Sequence, residues 1–269
     1  MIIISIKSVK NKANVLIKFI NEEYIESTLT NGFFFNTLDT FKKSEGLTDN
    51  QLDVDEGCSV NFEVDNKGIE IFDKNFNKVG DLNPKQIYNF KLKKSYDFAL
   101  KVPICCFTLL QFPHDFTFIR KYKNVFAYKI KESVKEKLEG ISGKRPYVYC
   151  LEQEMIKGLN RAIESGRKVR AGKVKYYKEV GINITECELN KNPFKIIFMK
   201  NEKYKNQKEF RIALGDKKES CFFKPPEVEI EKSSGINLDE LRLYINPKYT
   251  EDQISIQLAN KDDEIIYNI

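Results

Sequence analysis

A glutamine and a glutamate lie two residues apart in the segment 203–214, which reads Lys-Tyr-Lys-Asn-Gln-Lys-Glu-Phe-Arg-Ile-Ala-Leu. On a β-strand, residues two apart point to the same side and are separated by about 6.5–7 Å. An amide and a carboxylate in that arrangement can grip a sugar hydroxyl together with an attacking group. Gln207 and Glu209 are therefore the candidate catalytic residues, and Arg211 lies on the same side of the strand.

The element that must position these residues is a predicted strand over 209–214. Phe210, Ile212 and Leu214 alternate with the polar residues and predict an apolar face directed at the core. An edge strand with a solvated face and an ordinary glutamate–arginine pairing has the same pattern. The sequence leaves both interpretations open.

A basic segment over 157–178 is the strongest local charge imbalance, with eight basic residues and Glu164 as the single acid. Together with Tyr176 and Tyr177, this segment can hold phosphates and stack a base, as single-stranded nucleic acid or a dinucleotide requires. A solvated helix end followed by a loop explains the pattern as well. The candidate nucleic-acid contacts are Arg161, Arg167, Lys168, Arg170, Lys173 and Lys175.

Other residues that could do chemistry form weaker patterns. Carboxylates are ligands for Mg²⁺, but the spacing of the acids at 45, 53, 55 and 56 matches no calcium loop or nuclease signature. His114 stands beside Asp115, so a general-base pairing is conceivable. The six cysteines lack C-x-x-C spacing and have one histidine to complement them, so we expect no zinc site.

Composition predicts a single α+β domain over 1–269, with more strand than helix. The 45 Lys+Arg against 39 Asp+Glu give a net charge of +6, which favours anionic partners without requiring them. Unpaired cysteines fit a reduced, cytoplasmic protein. No apolar run approaches the roughly 20 residues that span a bilayer, so we expect no membrane partner.

Local patterns predict the following elements. We expect strands at 15–19, 33–36, 88–100, 102–110, 174–180, 194–199 and 209–214, and a hairpin formed by 58–64 and 68–72. We expect helices at 22–30, 133–138 and 151–165, ended by Gly32, Gly140 and Gly166 respectively. The segments 224–227 and 233–235 are expected to be exposed loops.

Two stretches carry a resemblance to known families. The first is Leu16-Ile-Lys18-Phe19, a helix, Asn31-Gly-Phe-Phe-Phe-Asn-Thr-Leu38, and then the polar, acidic residues 41–57. The second is Phe198-Met-Lys200-x-x-x-Tyr204-x-x-Gln207-x-Glu209-Phe-Arg211. Together they resemble uncharacterised domains found among phage-defence and abortive-infection proteins, and the order of elements is similar to that of ADP-ribosyltransferases.

The second likeness implies split, mixed β-sheets with a few helices around a cleft that binds NAD. Glu209 would then stabilise the cationic sugar that forms as nicotinamide leaves, and Gln207 would orient the acceptor. Lys18, Tyr204 and Arg211 would contact the cofactor. Lys18 stands where the transferases carry Arg or His, and Tyr204 or an aromatic of 33–35 would stack the nicotinamide.

Three functional hypotheses follow. The first is a toxin-type phage-defence effector that uses NAD to modify nucleic acid or protein. The second is an effector that binds nucleic acid through the basic segment, or a nuclease whose acidic loop holds a metal. The third is a module without catalysis that binds a protein partner, an inhibitor or sensor in which the Gln-Lys-Glu strand serves the fold.

Overall fold

The computed structural model describes residues 4–6, 13–43, 58–61, 69–73, 75, 77–82, 92–122, 125–143, 145–177, 192–233, 236–246 and 252–258. Their α-helices are α1 (Ile25–Asn31), α2 (Leu38–Lys43), α3 (Asp97–Leu100), α4 (Glu132–Ser142) and α5 (Glu152–Glu164). Short 3₁₀ helices lie at Glu22–Tyr24, Pro193–Phe198, Glu202–Gln207 and Leu238–Glu240. Helices and mainly antiparallel sheets confirm the α+β class.

The strands of the described residues are as follows. They are β1 (Ile4–Ile6), β2 (Val15–Phe19), β3 (Phe33–Thr37), β4 (Cys58–Asn61), β5 (Ile69–Phe72), β6 (Lys78–Leu82), β7 (Leu92–Ser95), β8 (Pro103–Leu110), β9 (Phe116–Tyr122), β10 (Val125–Ile130), β11 (Tyr147–Leu151), β12 (Val169–Lys173), β13 (Lys175–Tyr177), β14 (Met199–Asn201), β15 (Glu209–Leu214), β16 (Cys221–Phe223), β17 (Glu231–Lys232), β18 (Leu241–Asn246) and β19 (Asp252–Leu258).

The largest sheet of the described chain has the order β12-β15-β8-β2-β11-β17, and β3 pairs with the first residues of β8 and carries β16. β8 is central because its apolar residues are buried along nearly its whole length. This confirms the prediction of a buried strand over 102–110. The predicted strands at 15–19, 33–36 and 209–214 are confirmed as well.

Both faces of this sheet are covered. Val15 and Ile17 point to a core shared with the second described sheet, of order β1-β19-β18-β10-β9, where Leu243 and Ile245 lie. Leu16 points to the opposite core, where Met155 and Leu159 of α5 pack. The alternation within one short strand therefore serves two hydrophobic cores, each of which excludes water from a different face.

A third cluster closes one end of the sheet. Ile196 and Ile197 are fully buried there and pack with residues of α2, α3, β8 and β15. Their segment is a 3₁₀ helix, Pro193–Phe198, so the predicted strand over 194–199 is wrong. Proline at the first helical position pre-sets the backbone for a helical turn, which explains the difference.

Several other sequence predictions need correction. β4 pairs with β7, and β5 pairs with β6, so the segments 58–64 and 68–72 do not form a hairpin with each other. Of the predicted strand over 88–100, the described residues 92–100 contain β7 and then α3. Of the predicted strand over 174–180, the described residues 174–177 contribute the short strand β13, preceded by β12. Residues 88–91 and 178–180 lie outside the described residues. Strands β1, β6, β9, β10, β11, β12, β16 and β17 were not predicted at all.

Glycines mark the helix ends only where the backbone turns left-handed. α1 ends at Gly32 with φ 87°, and Gly166 follows α5 with φ 93°, as predicted. α4 instead continues through Gly140 and ends at Gly143, where φ is 60°. A glycine within a helix weakens it but does not stop it.

The predicted loop over 224–227 is exposed except at Pro225. In the second predicted loop, Ser233 is buried, and residues 234–235 lie outside the described residues. Ser233 Oγ accepts a hydrogen bond from the backbone N–H of Tyr147 at 3.1 Å. Among the described residues, no helix is both long and apolar enough to cross a bilayer.

The contact between α5 and the segment 225–228 gives a stability prediction. A Cβ on Gly158 would lie 2.6 Å from the Pro226 carbonyl oxygen and 2.6 Å from Val228 Cγ2. We expect Gly158→Ala to lower the free energy of unfolding by about 1–3 kcal/mol, because overpacked sites strain their neighbours. Urea denaturation measures the change.

Gly140→Ala is the matched control, because nothing lies within 4 Å of its Cβ position in α4. We expect this variant to gain up to about 1 kcal/mol from helix propensity. Equal effects at the two positions would contradict the close packing of α5 on 225–228.

Candidate functional site

The candidate catalytic strand is buried on both faces. β15 lies between β12 and β8, with Glu209 opposite Thr108 and Arg211 opposite Cys106. All six of its residues are buried, including Glu209 and Arg211. The polar face is therefore covered by protein, and the solvated-edge interpretation of this strand is wrong.

Three side chains form what we call the buried ion triad, Lys200, Glu209 and Arg211. Lys200 Nζ lies 3.0 Å from Glu209 Oε2, and Arg211 Nε donates a hydrogen bond to the other carboxylate oxygen. Arg211 also donates to the Ile197 carbonyl oxygen. The side chains of Lys200 and Glu209 are 5% exposed and that of Arg211 is 1% exposed.

The triad fixes the charge of Glu209. Burial by itself raises the pKa of this carboxyl, but the charges of Arg211 and Lys200 act in the opposite direction, and the pKa lies well below its usual range. Hydrogen bonds from Arg211 and from the Cys106 thiol add to the lowering. Glu209 is thus a carboxylate held by cations of its own chain.

Two tyrosines enclose the triad. The Tyr176 hydroxyl accepts a hydrogen bond from the backbone N–H of Glu209 at 2.9 Å, and burial raises its pKa to about 12. Tyr204 is buried, with Lys200 Nζ 5.0 Å and Lys203 Nζ 4.8 Å from its ring centroid. Tyr204 is placed for cation–π contact with both ammonium groups, and the base-stacking role predicted for Tyr176 does not fit its inward hydroxyl.

Lys18 lies on the opposite face of the sheet from Glu209. Ile17 pairs with Thr108, and Thr108 pairs with Glu209, so these three residues share a face. Lys18 follows Ile17 and therefore points the other way, where its Nζ donates to the Cys106 carbonyl oxygen at 3.3 Å and lies 5.7 Å from the Phe107 ring centroid. The predicted joint site of Lys18 and Glu209 does not form.

Gln207 does not lie on β15 with Glu209. It ends the 3₁₀ helix Glu202–Gln207, and Lys208 follows in the left-handed conformation with φ 48°. The spacing that would align Gln207 with Glu209 applies only to continuous strand. Of the residues assigned to an NAD site, the structure brings Glu209, Arg211 and Tyr204 together around Lys200, and they do not form an open cradle for a cofactor.

Lys200 is the residue that sequence reasoning missed. It lies on β14, which pairs in parallel with β13 so that Lys200 faces Tyr176. Nothing in the sequence signals a parallel pairing between two three-residue strands. The alternation along β15 correctly predicted that Glu209 and Arg211 share a face, but Lys200, the second cation of the triad, lies on another strand.

The basic segment divides into two parts at the turn after α5. Lys157 pairs with Glu154 at 2.9 Å, Arg161 pairs with Glu227, and Arg167 Nε lies 3.0 Å from Asp216 Oδ2. Lys178 lies outside the described residues, and we call the remaining four, Lys168, Arg170, Lys173 and Lys175, the basic edge. All four are exposed, and none pairs with a carboxylate among the described residues.

Strand geometry spreads the basic edge along the border of the main sheet. β12 pairs with β15 on one side and forms the end of the sheet order in the described chain. Lys168 precedes β12, Arg170 and Lys173 lie on it, and Lys175 begins β13. At about 3.3 Å per residue, these cations extend over roughly 20 Å.

The remaining candidates have simpler explanations. His114 is exposed, whereas its neighbour Asp115 is buried and pairs with Lys208. Asp115 Oδ2 also accepts the backbone N–H of Gln111 at 2.8 Å, so this carboxylate holds the turn after β8. The acids at 45, 53, 55 and 56 lie outside the described residues, within which no cluster of metal-ligating side chains occurs.

Comparisons with known proteins give no further assignment: no family model, no curated protein and no solved structure matches this chain.

The triad predicts a large cost for removing its carboxylate. Glu209→Gln leaves Lys200 and Arg211 buried with no compensating charge in the triad, so we expect the free energy of unfolding to fall by about 3–5 kcal/mol. Urea denaturation measures this loss. Glu202→Gln is the control, because its pair with Lys205 at 3.2 Å is exposed and should contribute less than about 1 kcal/mol.

The transferase hypothesis makes the opposite prediction for Glu209→Gln. In that case the variant keeps its stability and loses nicotinamide release from NAD. A stable Glu209→Gln protein would contradict the structural role of the triad.

Acid should remove the same stabilisation. The pKa of Glu209 is lower in the folded protein than its ordinary value of 4.5, so its contribution is complete above that value and is lost as pH falls below it. We expect the stability difference between wild type and Glu209→Gln to be largest near about pH 7 and smaller at about pH 3. Urea titrations at both pH values test this, and a pH-independent difference would refute it.

Proposed function

We propose that this protein binds nucleic acid through the basic edge. The observation that carries the proposal is the division of the basic segment. Three of its cations are paired with acids, whereas Lys168, Arg170, Lys173 and Lys175 are exposed and unpaired with carboxylates in the described chain. Arg170 and Lys173 point to opposite faces of the sheet, and exposed cations along one edge attract phosphates and release counterions when these bind.

Electrostatics beyond the edge support the proposal. The whole chain carries a net charge of +6, so the long-range field favours anionic partners. The turn after β15 adds Lys217 and Lys218, both exposed, next to the start of β12, where the Gly215 N–H donates to the Lys168 carbonyl oxygen at 2.6 Å. Of the two acids in this turn, Asp216 pairs with Arg167 and Glu219 is exposed. Two further lysines therefore adjoin the basic edge at the end of the strand.

An alternative explanation of the same residues is protection of a sheet edge. Charged side chains on an edge strand discourage pairing with another chain. Lysine is common in that role, but two of the four cations of the basic edge, Lys168 and Lys175, lie outside β12. Cations beyond the edge strand favour a ligand, and the two roles are compatible.

Within this proposal, the phage-defence resemblance suggests that the bound nucleic acid belongs to a phage or to its host. ADP-ribosyl transfer is the second prediction from the resemblance. The positions of Lys18, Gln207 and Glu209 give that activity no geometric support, so we rank it below nucleic-acid binding.

A matched pair of double variants tests the proposal. Arg170→Gln with Lys173→Gln removes two cations of the basic edge, and Lys157→Gln with Arg161→Gln removes one lysine and one arginine that are paired with acids. The readout is fluorescence anisotropy of a labelled oligodeoxythymidine against salt concentration. We expect the edge variant to lose on the order of tenfold in affinity and its salt slope to fall by about 1.4, at about 0.7 per phosphate contact.

The paired-cation variant should bind with a salt slope close to that of wild type. Equal losses in the two variants would show that only net charge matters, and would contradict a site at the basic edge. Absence of binding by wild type would overturn the proposed function itself. Sedimentation of each variant confirms that the altered edge leaves the protein monodisperse.

A further inference from the structure

Two phenylalanines form an exposed aromatic pair on the antiparallel strands β3 and β16. The ring centroids of Phe34 and Phe222 are 5.1 Å apart with an interplanar angle of 58°, and the residues are 44% and 47% exposed. Their neighbours Phe33, Phe35, Cys221 and Phe223 point inward to the core. Single exposed apolar residues are ordinary on protein surfaces, but two rings in mutual contact present a continuous aromatic surface.

Two exposed lysines precede the aromatic pair in the chain. The turn 216–220 leads directly into β16 and carries Lys217 and Lys218 together with Asp216 and Glu219. Asp216 is paired with Arg167, whose guanidinium lies 5.2 Å from the ring centroid of Phe223 on the core side of β16. The two lysines of the turn therefore lie within a few residues of Phe222.

The pairing register places the aromatic pair on the same side of the sheet as part of the basic edge. Arg170 lies opposite Ala213, Ala213 opposite Ile104, and Ile104 opposite Asn36. Residues that pair directly share a face, and so do residues two apart on a strand. Phe34 therefore shares the face of Arg170, and Asn36, two residues from Phe34, lies about 14 Å from Arg170 across three strand spacings.

We propose that the nucleic acid is single-stranded and that Phe34 and Phe222 stack its bases. This inference rests on the proposed function. Aromatic side chains can stack bases only where the base faces are accessible, as they are in single strands and not within a duplex. Lys217 and Lys218 then contact the phosphates between the stacked bases and the basic edge.

Three labelled probes separate stacking from charge. They are an oligodeoxythymidine of about 15 nucleotides, near the upper site size of a single-strand binding fold, an abasic strand of the same length, and a duplex of the same length. Wild type should bind the thymidine strand most tightly. Phe34→Ala and Phe222→Ala should each weaken that binding by about 5- to 150-fold, with an unchanged salt slope.

The abasic strand should bind wild type and both phenylalanine variants equally, because it offers phosphates without bases. Phe118→Ala is the control, since Phe118 is 50% exposed and lies on β9 of the other sheet. Unchanged thymidine binding by the Phe34→Ala, Phe222→Ala double variant would overturn the stacking proposal. So would a change of oligomeric state in that variant, because the rings would then contact a second copy of the chain.

The two proposals fail in different ways. If the stacking proposal alone is wrong, the Arg170→Gln, Lys173→Gln variant still loses affinity, whereas the phenylalanine variants bind as wild type does. If the proposed function is wrong, wild type binds none of the three probes. Thermal unfolding midpoints near that of wild type show that the phenylalanine variants remain folded.

Discussion

The buried ion triad is the interaction on which the centre of this structure depends. Taking Lys200, Glu209 and Arg211 out of water costs several kcal/mol per ion unless each charge finds a partner, and the two cations hold the carboxylate from both of its oxygens. The third partner, the Ile197 carbonyl oxygen, belongs to the 3₁₀ helix that covers this face. The triad therefore links β14, β15 and the covering segment, and none of the three can move without exposing a charge to an apolar environment.

Periodicity predicted the faces of β15 but not what covers them. A polar face exposed to solvent and a polar face covered by protein have the same alternating sequence, because the covering segment lies elsewhere in the chain. That segment, Pro193–Phe198, was itself predicted as a strand, so its role as a cover was hidden. The prediction that Lys18 shares a site with Glu209 was wrong for a related reason. The strand of Lys18 was predicted correctly, but the pairing register through Thr108, which puts Lys18 on the other face of the sheet from Glu209, depends on long-range pairing.

The charges of the basic segment also could not be assigned without knowing the long-range contacts of the fold. The sequence gives eight cations and one acid over 157–178, yet the acids that pair with Arg161 and Arg167 are Glu227 and Asp216, far away in the chain. Folding converts a uniform run into paired and unpaired parts. The division falls at the turn where the chain leaves α5 and becomes the edge strand β12, because helix and strand direct their side chains to different neighbours. Local composition found the right region, and tertiary contacts selected the residues within it.

The triad and the basic edge are also electrostatically connected. Gly172 of β12 lies directly opposite Arg211, so the triad is one strand spacing, about 4.8 Å, inside the basic edge. Buried charge is screened by salt much less than exposed charge, so the Arg211 guanidinium acts electrostatically on the neighbouring strand that carries Arg170 and Lys173. The glycine at position 172, directly opposite Arg211, places no side chain between them.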